Sequence, residues 1–377
     1  DHQMILHIFA NDAEYSEQFE VNLNVSLFQA GFPYDTFDQI KTSPLVIDID
    51  GDNDNDIIFS DNMGFVHLIE SNGTVTNTNF PFEIGDDVWG SIAAEDIDLD
   101  GDIEFVVTSS SRNIYIFDKN GIEAVYYSDH YLLGSPAIGQ IDSDPFYEIV
   151  VGGFGPGANE NRLYAINHDA SDVENFPVII DETVKSGVAL ADLNGNGLDD
   201  IVFGTDSDNL HLIFDNGTPS GNFPVTLGDK VQSEPSIANI NGEKIIFVGS
   251  KDDSFYAISG NGEILFSFLT DGNIYTSPSF MDTPNGLMIF FGSDDGYVYC
   301  LNLDGQIVES WNVGGGAIGS IVFADIDSNG VSEIIVSASS EIFILNLNND
   351  FPYPSIVHDL PLSSGPTVMD INQDGNL

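Results

Sequence analysis

The chain is poor in positive charge: its 377 residues include 8 Lys and Arg against 61 Asp and Glu, for a formal net charge of -53. So few cations cannot neutralise a phosphate backbone, which excludes nucleic acid as a partner. The same field excludes an anionic membrane surface. Cysteine is nearly missing too, because Cys300 is alone and has nothing to pair with in the chain. Its flanks, Tyr297, Val298, Tyr299 and Leu301, read as a strand, so a buried structural thiol is expected. No run approaches the roughly 20 apolar residues of a membrane helix, so no direct membrane insertion is expected. The i, i+3, i+4, i+7 apolar spacing of an amphipathic helix is also lacking over any useful length. The chain begins at Asp1 rather than at an initiator Met, which reads as a processed or excised piece, with other domains of the same polypeptide among its expected partners.

Apolar residues are plentiful. They make up 42% of the chain, with 27 Phe and 13 Tyr, enough for a large core and unlike the composition of an acidic disordered segment. They recur in a pattern: a short apolar strand, an Asp/Asn/Gly loop, a run such as Ile-Ile-Phe, a Gly or Ser turn, and an alternating strand. The loops begin at Asp48, Asp96, Asp142, Asp192, Asn239, Asp282, Asp325 and Asp370, a spacing of 43 to 50 residues. That period is the size of a propeller blade. Four strands can be read in each unit, separated by turns such as Asp61 to Gly64 and Ser71 to Gly73. The expected fold is an all-β propeller of four-stranded blades over residues 22–377, with repeats opening near 43, 91, 135, 188, 234, 278, 321 and 365. Residues 1–21 read as the end of a preceding module or an outer strand. Phe32 and Pro33 match Phe223 and Pro224 at the fourth strand of a complete unit. This predicts eight blades, the N- and C-terminal segments sharing one, with seven as the alternative.

Five loops carry acids or amides at positions 1, 3, 5 and 9. These are Asp48, Asp50, Asp52 and Asp56; Asp96, Asp98, Asp100 and Glu104; Asp192, Asn194, Asn196 and Asp200; Asp325, Asp327, Asn329 and Glu333; and Asp370, Asn372 and Asp374, where the chain ends before position 9. Hard cations take 6 to 8 oxygens at about 2.3 to 2.6 Å, which alternate side chains of a tight loop can supply. A backbone carbonyl at position 7 adds another, from Asp54, Asp102, Leu198, Val331 or Asn376. Four to five calcium sites are expected. An EF-hand is excluded because the closing acid stands at position 9 rather than 12 and the flanks are strands. Three loops read as tight hairpins without metal: Asp142, Asp144 and Glu148 are two residues too close, Asn239 leads to Lys244, and Asp282 stands alone.

The Asp-x-Asp-x-Asp-Gly-x-x-Asp unit resembles the FG-GAP or VCBS-type repeat of integrin α-subunit propellers and of many secreted bacterial proteins, over Ser43 to Leu377. The resemblance implies calcium held through positions 1, 3, 5 and 9 and the position-7 carbonyl. Units five and six, with Phe255 to Gly262 and Tyr297 to Gly305, are more similar to the quinoprotein-type propeller repeat, though no cofactor site carries over. Phe19 to Val25 followed by a propeller resembles the segment after the catalytic domain in large secreted bacterial subtilisin-like proteases.

No nucleophile and base stand in a recognised catalytic spacing. His67 and His211 share one third-strand position, which reads as structural. The expected function is therefore a calcium-stabilised, non-catalytic interaction or spacer module, extracellular or on a bacterial cell surface, with a protein or glycan as its partner. The alternatives are a polysaccharide lyase, for which only Lys41, Arg112, Lys119, Arg162, Lys185, Lys230, Lys244 and Lys251 are available as cations, and an accessory domain of a secreted protease. Trp89 and Trp311 are expected to pack between blades. The insertion from Gly152 to Arg162 is the expected partner-facing loop.

Overall fold

A computed structural model describes residues 31–155, 161–348 and 351–371, together with 373 and 375. Every regular element among them is a strand. The first blade is Leu45–Ile47 (β1), Asp56–Ser60 (β2), Phe65–Ile69 (β3) and Phe82–Glu83 (β4), in the order β1-β2-β3-β4. Six more four-stranded antiparallel sheets of the same up-and-down order open on Ala93–Glu95, Ala137–Gly139, Ala189–Ala191, Ser236–Ile240, Ser279–Thr283 and Ala317–Ala324.

Seven sheets correct the expectation of eight blades, with the termini sharing the last. The period counts loops and first strands, whereas a blade requires a hydrogen-bonded ladder. The eighth repeat has its entry and its loop, but its described residues join no sheet. They dock instead through single bonds: Thr367 Oγ1 donates to Pro44 O at 2.7 Å, and Asn55 N donates to Ile371 O at 3.3 Å. Residues 31–40 meet the first blade similarly, by an isolated bridge between Ile40 and Asp61. The segment 1–21 and residues 156–160 of the expected partner loop lie outside the described residues.

The core lies between blades. Second strands such as Glu104–Thr108 and Asp200–Gly204 are buried along their whole length because sheets cover both of their faces. Outer strands alternate instead, as Ile264–Leu269 does. Aromatic rings join one blade to the next: Phe255 of the fifth and Phe291 of the sixth stack with centroids 4.1 Å apart. Cys300 is fully buried, and burial pushes its thiol up to about 12. Trp311 is buried as expected, its Nε1 donating to Asn346 O at 3.1 Å. Trp89 departs from expectation at 47% exposure. His67 lies against Asp61 at 3.1 Å and stacks on Phe59, while His211 lies against Glu182 at 3.0 Å and stacks on Phe203, so the shared position has a shared use.

Candidate metal centre

The strand ladder builds the acidic loops. Each closing acid is the first residue of a second strand and pairs across the sheet with the last residue of the first strand: Asp56 with Ile47, Glu104 with Glu95, Asp200 with Ala191 and Glu333 with Ala324. The chain between must return on itself within a few residues, and it does so through left-handed backbone. Position 6 has positive φ in all five loops: Asn53 (76°), Gly101 (99°), Gly197 (92°), Gly330 (87°) and Gly375 (88°). This is why Gly prevails there and Asn, the non-glycine residue that tolerates this region well, replaces it once. Position 4 is left-handed too, at Gly51, Leu99, Gly195, Ser328 and Gln373, which the sequence reading missed. Glycine at two of the five was the available signal.

These bends bring positions 1, 3 and 9 together. Asp48, Asp50 and Asp56 each place a carboxylate oxygen within 4.8 Å of the other two, as do Asp96, Asp98 and Glu104, and Asp325, Asp327 and Glu333. Asp142, Asp144 and Glu148 form a fourth such group: Glu148 pairs with Gly139, so this loop is as long as the others and opens at Gln140, which corrects the expectation that these acids stand too close. Asp52 and Asp100 stand outside the triplets, each with Oδ1 holding the amide two residues on. In the fourth unit, Asn194 Nδ2 donates to Asp200 Oδ1 at 2.9 Å, and Asn196 Nδ2 donates to Asp215 Oδ1 at 2.9 Å. Asp215 was not anticipated, although turns between third and fourth strands return to the same end of the blade as these loops. Lys119, from such a turn, pairs with Asp102 at 2.6 Å, and the Tyr353 hydroxyl donates to Asp327 Oδ2 at 2.9 Å. In the last loop, Asp370 Oδ2 accepts from Gly375 N at 2.6 Å, while Asn372, Asp374 and Asn376 lie outside the described residues.

The closing acids are buried charges. Asp56, Glu104, Glu148, Asp200 and Glu333 are each at most 4% exposed. Burial pushes the carboxyls of Asp56, Glu104 and Glu148 up to about 7 and that of Asp200 to about 6, and it raises Glu333 as well. The backbone amide at position 2 opposes this in each loop, as Ile97 N does to Glu104 Oε2 at 2.8 Å, and Asp200 accepts from Asn194 N and Asp215 N as well, Glu148 from Asp142 N. A buried carboxylate is stable when protonated or when paired with a cation. Asp96 Oδ1 and Glu148 Oε1 are buried oxygens with no hydrogen-bond partner among the described residues. Converging carboxylates with free buried oxygens suit a hard divalent cation. Four of the loops can therefore hold a metal ion.

No family model matches the chain, and no curated protein matches it. Solved structures do. The Vibrio cholerae biofilm matrix protein Bap1 is similar with a TM-score of 0.63 at 14% identity, over 89% of this chain and 83% of that one. BBS1N, crystallised in complex with ARL6DN, has a TM-score of 0.56 at 14% identity, over 82% of this chain and 91% of that one. BamB from Moraxella catarrhalis has a TM-score of 0.53 at 16% identity, over 84% of this chain and 85% of that one. At these identities the likeness establishes the β-propeller fold.

Proposed function

We propose that this chain is a calcium-stabilised, non-catalytic interaction or spacer propeller of a secreted or cell-surface bacterial protein, built from FG-GAP or VCBS-type repeats, with a protein or a glycan as its partner. The observation that carries the metal assignment is the coincidence, in the second and third units, of three converging carboxylates with a buried oxygen that no donor satisfies. Calcium fits better than magnesium because the donors are carboxylates, amides and carbonyls on irregular loops, which suit a flexible shell of 6 to 8 oxygens. The carbonyls of Asp54, Asp102, Leu198 and Val331 would add a ligand to their loops. The third loop counts as a site on the same grounds. Calcium is abundant outside cells, where weakly binding modules are loaded. The likeness to a protein described as a biofilm matrix component accords with that setting, and the BBS1N complex accords with a propeller used as a docking surface.

The test is a thermal melt with calcium and with a chelator, alongside a calorimetric calcium titration of the chelated protein. Calcium should bind saturably and raise the melting temperature by many degrees. An identical melt in both conditions would overturn the metal assignment.

A further inference from the structure

First strands run from the propeller axis to the acidic loops, so the residues leading into them gather at the end opposite those loops. There they line a funnel of about 380 Å³. At its neck, one repeat position is Ser43, Ser91, Ser135, Ser277 and Ser320, with Gly187 and Gly365 in two units. The eighth occupant is Glu234. Its Oε1 accepts from Ser135 Oγ at 2.8 Å and Gly187 N at 3.2 Å, and its Oε2 accepts from Ser277 Oγ at 3.3 Å. Two residues earlier in each repeat lies the mouth of the funnel, where the lining residues include Lys41, Trp89, Leu133, Lys185, Gln232 and Tyr275.

A repeat position that keeps one residue type serves the fold. The mouth position varies, with Lys in two units and Trp, Leu, Gln, Tyr and Ser in five others that line the same cavity, and it collects two of the eight cations and one of the two Trp of the chain. Trp89 and Tyr275 are 47% and 39% exposed and come from units four apart in the ring, so they stand across the funnel from each other. Lys41 Nζ lies 3.3 Å from the centroid of the Trp89 ring. Lys185 is paired with Asp206 at 2.7 Å, whereas Lys41 has no carboxylate within ion-pair distance among the described residues. In a chain with this excess of acid, a cation without a carboxylate at the mouth of a cavity is a vacancy for an anionic group.

We propose that the funnel binds a glycan end carrying a carboxylate, a uronic acid. Lys41 takes the carboxylate, the rings of Trp89 and Tyr275 flank the pyranose, and Gln232 and Glu234 meet its hydroxyls. A cavity of this volume with aromatic walls and a few fixed polar groups matches a small-ligand site. The proposal rests on the reading of the chain as an interaction module. It is independent of the calcium sites, which lie at the other end of the strands.

The experiment is calorimetric titration of the calcium-loaded protein with uronate oligosaccharides and with neutral counterparts reduced at C6. The acidic sugar should bind at least about tenfold more tightly, since a charge-assisted hydrogen bond is at stake. Lys41→Gln should abolish that preference while sparing neutral binding, and Trp89→Ala should abolish binding of both, with melting temperatures unchanged because both side chains are at the surface. Equal affinity for the two sugars, or binding that Trp89→Ala leaves intact, overturns the proposal. Absence of uronate binding also overturns it. If a glycan array or a protein partner is nonetheless bound by wild type and by Trp89→Ala alike, the interaction role stands without the funnel.

Discussion

The amide of Ile49 donates to Oδ2 of Asp56 at 3.1 Å, tying the second position of the first acidic loop to its ninth. The same bond recurs from Ile97 to Glu104, Ile141 to Glu148, Leu193 to Asp200 and Ile326 to Glu333. The closing acid thus serves the fold as a buried acceptor and the candidate site as a charge, and two substitutions separate these roles. Glu104→Gln keeps an acceptor for Ile97 and removes the charge. In chelator at pH 8 it should be as stable as wild type or more so, while losing part of the gain from calcium. Glu104→Ala leaves a buried amide unsatisfied and should cost about 1 to 3 kcal/mol with or without calcium. Urea titrations of the two variants measure both effects.

The left-handed positions make a second prediction, read by thermal melts. Gly330→Ala forces a Cβ into that region at φ 87° and should destabilise the protein by about 1 to 2 kcal/mol. Leu99→Gly relieves the opposite misfit at φ 60° and should be neutral or stabilising, because Leu99 is half-exposed and little packing is lost.

The repeat period, the all-β character and the position of every acidic loop were legible because loop and strand compositions differ so sharply here. Blade number was not, since an entry strand and a loop at residues 365–371 look the same in sequence whether or not they pair into a sheet. The third loop was misjudged as well. Spacing argued against Asp142, Asp144 and Glu148, yet the three converge. The reason is that this loop opens at Gln140 and not at Asp142: Glu148 pairs with Gly139 across the sheet, the same span as Asp56 to Ile47, so the three acids stand at positions 3, 5 and 9 of a full-length loop. That loop has no positive-φ residue, with Ser143 at position 4 and Pro145 at position 6. Position 4 stayed hidden because Leu99, Ser328 and Gln373 give no sign of a left-handed backbone.

The third loop therefore affects metal stoichiometry. Native mass spectrometry of the calcium-loaded protein should show one ion fewer for Glu148→Gln than for wild type. Equal counts would mean that this loop is only a hairpin.

Packing between blades should dominate stability. Phe291 is fully buried and stacks on Phe255 of the preceding blade. Phe291→Ala should cost about 3 to 5 kcal/mol in a urea titration, the range for a large aromatic lost from a packed core.

The dependence of stability on pH should change sign with metal. Without metal, the carboxyls of Asp56, Glu104 and Glu148 titrate at about 7 in the folded state and that of Asp200 at about 6, against roughly 4 in an unfolded chain. Folded-state values above the unfolded ones mean that these groups favour the fold fully below about pH 4. That contribution is lost as pH rises through 6 to 7, when buried carboxylates must ionise. In chelator, the melting temperature should therefore fall between pH 5 and pH 8. In excess calcium the ionised form is the ligand, protons compete with the metal, and the slope over the same interval should be flat or rising. General repulsion among the acids also grows with pH, so both series belong in about 1 M salt, where the Debye length is roughly 3 Å and surface repulsion is screened. If the slopes with and without calcium remain parallel there, the closing acids are not metal ligands.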